Sequence, residues 1–348
     1  MKNELSDINN TPLDYYPTKE IFNAIAKQSG KMSRGRALMP GMIARSDGFD
    51  VDSTINELET MIAGGQTDLE ALLSRLLSVS DLTSKVYDRF AENPNSMYNW
   101  FPALRDGIEK ANTDLKIPKT KILRLPIEMA QFIRLEYMDT YIEDRKIFNE
   151  FIFRAFELED DKTYFIKTGN FSSKFQFANA KCSEPREMGE YFQVINNFAM
   201  EVGAGTTIDV VVREYIDDVE GNPTIYNGMP LRTEFRAFVD FDTNTVESVV
   251  PYWHPVVMKR VLSAGLSSTI QQDYQTYLRH EDKLLNEFNN QVGHVARQLH
   301  ELIPHMKLTG QYSIDVMKNG DDLYVIDMAL AEESALRELS PEYLVSLN

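Results

Sequence analysis

The chain has 348 residues, of which 43% are hydrophobic and 11% aromatic, as in ordinary soluble globular proteins of about two domains. Its formal net charge of −17 argues against nucleic acid or an anionic membrane as the main partner. The single cysteine excludes an intrachain disulfide and fits a reducing compartment, and no apolar run is long enough to span a membrane, so we expect a cytoplasmic protein.

The first 94 residues are predicted to form a mainly helical region. Residues 30–50 contain several glycines and a proline among basic residues, and we interpret them as a loop. From Asp52 to Phe90, apolar residues recur at helical spacing, and Gly64-Gly65 separates two predicted helices.

Residues 95–348 are predicted to form a second domain of the α+β class, because helical and strand patterns alternate along it. The predicted elements are, in chain order, a helix to about Asn112 that carries Arg105, a strand over 117–123, a helix over 126–158, a strand over 163–167, a helix around 188–198, strands over 208–216 and 232–240, a long helix over 270–303, and a hairpin around 318–322.

The strand over 163–167 ends in a lysine and continues into a small polar segment, 168–174. At a strand end, Lys167 would project its ammonium beyond the sheet. Backbone amides, with Ser172 and Ser173, would donate to phosphate oxygens, and Lys174 would add a second charge. An ordinary surface loop with solvated lysines has the same local pattern. We interpret the segment as a phosphate-binding loop.

The strand over 232–240 separates charged from apolar side chains. One face carries Arg232, Glu234, Arg236 and Asp240, with Phe238 as the apolar exception among them. The other carries only apolar residues, which we expect to pack on the core. We expect Glu234 to hold Arg236 in place. An exposed antiparallel strand with a solvated face would show the same alternation.

Two aspartates, Asp315 and Asp327, lie on the two strands of the predicted hairpin. Two carboxylates can hold a magnesium ion that bridges phosphates. A two-residue Asn319-Gly320 turn would put these carboxylates on opposite faces, whereas a loop of three or five residues would put them on one face. The metal hypothesis therefore requires an odd loop.

The order of these motifs resembles the ATP-grasp superfamily, which includes carboxylate–amine ligases such as glutathione synthetase and D-alanine–D-alanine ligase. The strands Glu234–Val239 and Val325–Asp327 are most similar to the cell-division-cycle branch, which contains the assembly factor for eukaryotic translation initiation factor two. The resemblance covers about residues 95–336, and the family order favours the odd loop.

The resemblance implies an ATP-grasp fold, in which two α+β subdomains sandwich a nucleotide, behind the helical N-terminal region. ATP and Mg²⁺ are the implied cofactors, with Asp315 and Asp327 as the metal ligands. Lys174 and Arg236 would act on the transferred phosphoryl group, and Asp217 and Asp218 would accept from the ribose. The full set of implied nucleotide-binding residues is Arg105, Lys167, Ser172, Ser173, Lys174, Glu214, Tyr215, Ile216, Asp217, Glu234 and Arg236, among which 214–216 match the adenine hinge.

The sequence departs from the family at Ala329, where ATP-grasp enzymes usually have an asparagine. Either Glu332 or Glu333 substitutes for it, or the site holds one magnesium. The resemblance implies a ligase that joins a carboxylate to an amine through an acyl phosphate, with both substrates unidentified. The alternatives are an ATP-binding assembly factor that binds a protein partner, and a degenerate fold kept for interaction alone.

Overall fold

The computed structural model describes residues 51–66, 84–125, 142–202, 204, 207–265 and 267–345. The predictions for residues 1–50, for the second N-terminal helix over 67–83 and for the first part of the helix over 126–158 lie outside this set. The described chain forms two compact units. Unit 1 takes its residues from 51–96, 121–173 and 179–212, and unit 2 takes its residues from 97–120, 174–178 and 213–345. The domain boundary at residue 94 stays a prediction.

The described helices and strands follow the predicted alternation. In chain order they are α1 (Val51–Ala63), α2 (Ser84–Ala91), α3 (Met97–Lys110), β1 (Thr120–Arg124), α4 (Ile142–Ala155), β2 (Tyr164–Thr168), α5 (Phe177–Ala180), β3 (Lys181–Cys182), α6 (Met188–Glu201), β4 (Asp209–Glu214), β5 (Thr224–Ile225), β6 (Met229–Pro230), β7 (Glu234–Asp240), β8 (Thr245–Pro251), α7 (Pro255–Ser263), α8 (Ser268–Leu302), β9 (Gln311–Asn319) and β10 (Asp322–Leu330). Short 3-10 helices occupy Lys174–Gln176, Pro185–Glu187, Ile303–His305, Ala331–Glu333 and Arg337–Tyr343.

Unit 1 is built on a four-stranded sheet in the order β1-β4-β2-β3. Helices α4 and α6 supply much of its apolar core. The helix predicted around 188–198 is confirmed as α6, on which the apolar residues Met188, Phe192 and Ile195 are fully buried. Their spacing of three to four residues places them on one face of the helix.

Unit 2 is built on a four-stranded antiparallel sheet in the order β10-β9-β7-β8. The predicted long helix is confirmed as α8, which begins after Ser267, whose side chain accepts a hydrogen bond from the Ile270 amide. Helix α8 buries one face, where Phe288 stacks on Phe235 of β7 at 5.3 Å between ring centroids. Together the two units confirm the α+β class.

The division of β7 into two faces is also confirmed. Phe235, Ala237 and Val239 are fully buried, whereas Glu234 and Arg236 are partly exposed. The strand begins at Glu234, two residues later than predicted. Among the described residues, no helix has the length and apolarity needed to cross a bilayer.

Candidate functional site

The two predicted metal ligands face each other in unit 2. The turn between β9 and β10 has two residues, Gly320 and Asp321, one position later than predicted. The register then shifts by one at Ile326, so that Asp327 pairs with Asp315. A β-bulge places two residues opposite one on the partner strand, which changes the parity as an odd loop would. The prediction that an odd loop is required is therefore wrong.

Arg236 is held by Asp315, and the prediction that Glu234 holds it is wrong. Its Nε donates to Oδ1 of Asp315 at 2.8 Å, and its Nη2 donates to Oδ2 at 2.7 Å. The register of β7 and β9 places these two residues directly opposite, whereas Glu234 lies two positions along the same strand, about 6.6 Å away by strand rise. Burial opposes the guanidinium charge, but Asp315 outweighs it and leaves the pKa of Arg236 raised. The arginine stays charged and fixed.

Lys174 lies at the start of a 3-10 helix with its ammonium against an aromatic ring. Its Nζ is 3.9 Å from the centroid of the Tyr252 ring, 5.7 Å from that of Phe175 and 5.8 Å from that of Trp253. Burial, and then the charge of Arg236, lower the pKa of Lys174 to about 8. An anion brought to this position would favour the charged lysine.

Glu234 completes the charge pattern on this face of β7. Burial raises its pKa to about 7; Lys174 opposes that shift, while the charge of Asp315 adds to it. The carboxyl therefore exchanges its proton near neutral pH. When Glu234 takes up a proton, the charge cluster loses one negative charge, which favours a bound anion.

Arg213, near the end of β4, was not identified from the sequence as a site residue. It is 5% exposed, its Nη2 contacts the sulfur of Met97 at 3.0 Å, and its Nε has no hydrogen-bond partner. Burial lowers its pKa to about 10, and the charge of Asp327 opposes the shift. A buried guanidinium with an unsatisfied donor is suited to bind an anion. The available signal was a cation after the apolar run Val210–Val212.

We call Lys174, Arg213, Glu234, Arg236, Asp315 and Asp327 the charge cluster. All six belong to unit 2. Asp327 interacts electrostatically with each of the three cations. The charge cluster thus combines several fixed or poised cations with two facing aspartates.

Of the three residues predicted as the adenine hinge, 214–216, only the first lies in strand β4. Strand β4 ends at Glu214, so the prediction of a strand to residue 216 is wrong by two residues. Glu214 is exposed and pairs with Lys119 at 3.2 Å. Tyr215 and Ile216 follow outside any helix or strand, and the Ile216 carbonyl accepts from Nη2 of Arg232 at 2.7 Å. That bond takes one acceptor position on the carbonyl oxygen and leaves its second lone pair.

Of the two predicted ribose acceptors, Asp217 has the more accessible side chain. It is exposed, and its backbone carbonyl accepts from Nδ2 of Asn319 at 3.0 Å. Asp218 accepts from Nε of Arg232 at 3.2 Å and from the Asn222 amide at 2.7 Å. These bonds tie the segment after β4 to the β9–β10 hairpin within unit 2.

The other predicted residues of unit 2 occupy more peripheral positions. Arg105 is half-buried on α3 and pairs with Asp106 at 3.0 Å. Glu332 and Glu333 are exposed on a 3-10 helix, and Ala329 pairs with Ser313 in the β9–β10 ladder.

The donor set of the facing aspartates fits one magnesium ion that is also bound by phosphates. No group of three or more His, Cys, Asp or Glu side chains among the described residues is arranged to hold a metal. Magnesium is commonly held by one or two carboxylates together with phosphate oxygens and water. Each carboxylate oxygen has two lone pairs, so Asp315 can keep Arg236 and still accept a cation.

Lys167 belongs to unit 1 and differs from its prediction. It lies inside β2, which continues to Thr168, and it is 1% exposed. The prediction of a solvated lysine beyond the strand end is therefore wrong. Placing a lysine inside a sheet desolvates its ammonium. That Lys167 binds nucleotide stays a prediction.

The rest of the predicted phosphate loop in unit 1 is tightly packed. The Gly169 amide donates to Oγ1 of Thr207 at 2.9 Å, and a Cβ at Gly169 would lie 2.8 Å from that oxygen. Ser172 is half-buried. Ser173 is fully buried in the left-handed region at φ 48, with no hydrogen-bond partner for its hydroxyl. Strain and an unsatisfied buried donor are features that gather at ligand sites.

Comparison with known proteins gives matches among solved structures. No protein-family model matches the chain, and no curated protein matches it. C-terminally truncated Cdc123 and Cdc123 from Schizosaccharomyces pombe match at 14% and 13% identity, with TM-scores of 0.43 and 0.41, over 73% of this chain and 92% of each of theirs.

Two further matches are bacterial. D-alanine–D-alanine ligase from Bacillus anthracis complexed with ATP matches at 10% identity and a TM-score of 0.33, over 71% of this chain and 58% of that chain. A RimK domain protein, ATP-grasp, from Sphaerobacter thermophilus matches at 14% identity and a TM-score of 0.32, over 78% and 71%.

Proposed function

We propose that the charge cluster of unit 2 binds ATP together with magnesium, and that the protein uses the nucleotide to activate a carboxylate. The observation that carries this proposal is the convergence of Lys174, Arg213 and Arg236 around Asp327. Asp327 interacts electrostatically with all three of these cations, in a chain whose net charge is −17. A polyphosphate with its metal would satisfy both the cations and the aspartates.

Each cation has a separate role in this proposal. Arg236 is fixed by its two hydrogen bonds to Asp315, so it meets a phosphoryl group without reorganisation. Lys174 supplies a second charge, and its protonated fraction rises as phosphate approaches, because the anion raises the lysine's pKa. Arg213 has an unsatisfied Nε to donate.

The reaction we propose has two steps. An oxygen of the substrate carboxylate attacks the γ-phosphorus; the bond to the bridging oxygen breaks, and ADP leaves with the electron pair. The amine then attacks the acyl carbon of the acyl phosphate, inorganic phosphate leaves, and the amine proton passes to solvent. Magnesium, when bound, withdraws charge from the phosphates. The residues of the cluster bind and orient, and none has to form a covalent bond.

A second candidate is an ATP-binding assembly factor for a protein partner. Two observations favour it: Ala329 replaces the usual third metal ligand, and Asp315 is engaged by Arg236 with both oxygens. A site with fewer metal ligands suits nucleotide binding better than rapid phosphoryl transfer. In this case ATP would stabilise the partner-binding form of the protein.

Calorimetric titration of ATP with and without magnesium tests the binding proposal. We expect binding that depends on magnesium and is lost in Lys174→Met. Lys259→Met is the matched control, since Lys259 is exposed and pairs with Glu281 at 2.8 Å in the same unit. The absence of binding to the folded wild-type protein at millimolar ATP would contradict the proposal.

Trapping with hydroxylamine separates the two candidates. A ligase given a mixture of carboxylates forms a hydroxamate and ADP from the correct one, because hydroxylamine captures the acyl phosphate. An assembly factor binds ATP without forming a hydroxamate from any carboxylate.

A further inference from the structure

Two cations of the charge cluster lie against the ring of Tyr252. Lys174 Nζ is 3.9 Å from the ring centroid, and the guanidinium carbon of Arg236 is 4.7 Å from it. Both distances lie within the range over which the quadrupole of an aromatic face attracts a cation. One ring therefore attracts two like charges that repel each other, a repulsion that contributes to the lowered pKa of Lys174.

The backbone and neighbours of Tyr252 fix the position of this ring. The Tyr252 amide donates to the Glu234 carbonyl at 3.0 Å, which ties it to the start of β7. Trp253 packs edge-on against it at 4.9 Å and donates from Nε1 to the Arg232 carbonyl at 2.9 Å. The Tyr277 hydroxyl donates to the Trp253 carbonyl at 3.1 Å.

The hydroxyl of Tyr252 contributes little to this arrangement. In the part of the chain that the structure describes, it makes no hydrogen bond, and the residue is half-buried. The aromatic face is thus the part of the side chain that touches the charge cluster. A buried tyrosine kept for its hydroxyl usually finds a partner for it.

We infer that Tyr252 is a positioning residue, which holds Lys174 and Arg236 side by side in the nucleotide-free protein so that both meet the phosphate chain of ATP. This inference rests on the proposed function. Without the ring, the long side chain of Lys174 would move away from Arg236, and binding would have to order it again. The ring lets the site keep two adjacent cations before any anion arrives.

The electrostatic character of the ring gives the test. Fluorine atoms withdraw electron density from the face of an aromatic ring while changing its size little. We therefore compare Tyr252→Phe with proteins that carry phenylalanine analogues of one, two, three and five ring fluorines at position 252. The dissociation constant of magnesium–ATP is measured for each by calorimetry.

We expect Tyr252→Phe to restore binding close to wild type, and affinity to fall stepwise with fluorination, by roughly tenfold across the series. The same analogues at Tyr274, a half-buried tyrosine on α8, are the control and should leave affinity unchanged. All the variants keep the shape of the ring, so a fold defect does not explain a graded loss.

A second readout is independent of nucleotide. In the free protein, the ring should shift the methylene proton resonances of the Lys174 side chain upfield, and Tyr252→Leu should remove that shift. Resonances are assigned with Lys174→Arg. If the Lys174 resonances lie upfield and lose that shift in Tyr252→Leu, the positioning role of the Tyr252 ring is supported. If their chemical shifts are the same in Tyr252→Leu as in wild type, that role is overturned.

The outcomes of the titrations separate the inference from the proposed function. Wild-type binding with an affinity that does not vary with fluorination overturns the role of Tyr252 and leaves ATP binding intact. No binding by wild type overturns both. A graded loss at position 252, with none at 274, supports the inference.

Discussion

Asp327 faces Asp315 across β10 and β9, and Arg236 of β7 faces Asp315 from the other side. The three residues form a row across three neighbouring strands, about 4.8 Å apart from strand to strand. The row exists because one bulged residue, Ile326, offsets the two-residue turn of the hairpin. The order across the strands is therefore carboxylate, carboxylate, guanidinium. Asp327, at the end of the row, remains close enough to interact electrostatically with all three cations of the charge cluster.

The two aspartates are predicted to respond differently to substitution. Asp327→Asn should abolish the magnesium dependence of ATP binding. Asp315→Asn should do the same and also destabilise the free protein by about 2 kcal/mol, because it takes a charge partner from largely buried Arg236. Magnesium-dependent calorimetry and urea unfolding measure the two effects, with Glu301→Gln, an exposed position on α8, as the control.

Equal stability of wild type and Asp315→Asn would mean that the Arg236 pair adds nothing to folding. Turnover or magnesium dependence kept in Asp327→Asn would contradict the metal site itself. Because both aspartates serve one site, the effects of the two substitutions on magnesium binding should not add.

Nucleotide affinity should depend on pH through Lys174. Its pKa in the free protein is about 8, and a bound phosphate stabilises the charged form, so the pKa rises on binding. Above about pH 8, where Glu234 is already ionised, affinity should therefore fall, by at most about tenfold per pH unit. Titrations from about pH 7 to pH 9.5 measure this.

Lys174→Arg supplies the comparison for the pH profile. Its guanidinium stays charged over the whole range, so the fall above about pH 8 should disappear. A wild-type profile as flat as that of Lys174→Arg would show that Lys174 does not change its protonation on binding.

Lys167 is predicted to matter for folding. It is 1% exposed inside β2, so Lys167→Ala should leave a cavity in unit 1 and lower the unfolding free energy by about 1–3 kcal/mol. Lys162→Ala is the control, since Lys162 is exposed and pairs with Glu159, three residues before it, at 2.6 Å. Urea unfolding compares the variants, and equal midpoints would contradict a structural role for Lys167.

The periodic elements of this chain could be predicted from its sequence, because burial imposes a pattern on them. The long helix α8, helix α6 and the two faces of β7 all follow from spacings of 3.6 or 2 residues. A bulge has no such pattern. Ile326 is of a residue type common in strands. Whether it forms a bulge depends on the pairing with β9, where Val316 and Asp315 pair with the residues on either side of it.

The candidate site shows the same limit. The local patterns and the order of the motifs identified Lys174, Arg236 and the two aspartates as candidate site residues. They did not show which charged side chains pair with each other. Glu234 is near Arg236 in sequence, yet Asp315 is the partner because it lies opposite on the next strand. Arg213 and Tyr252 were missed because their surroundings depend on the tertiary structure: Arg213 lies in the electrostatic field of Asp327, and the Tyr252 ring contacts Lys174.

Half-buried Arg124 and buried Arg213 should respond in opposite ways to replacement by methionine. Arg124, in unit 1, donates to fully buried Asp209 at 2.8 and 3.1 Å. Arg124→Met leaves that carboxylate without its arginine and should lower the unfolding free energy by about 3 kcal/mol. Arg213 has an unsatisfied Nε and a sulfur contact in place of a carboxylate.

Arg213→Met should therefore leave the stability of the free protein unchanged or increase it by about 1 kcal/mol, since burying the guanidinium costs free energy that its partners do not return. The same substitution should weaken magnesium–ATP binding at least about tenfold, because it removes a donor for the phosphates. Urea unfolding and calorimetry of the two variants together test this. If Arg213→Met destabilised the protein as much as Arg124→Met and bound ATP normally, Arg213 would be a structural residue and the cations around Asp327 would number two.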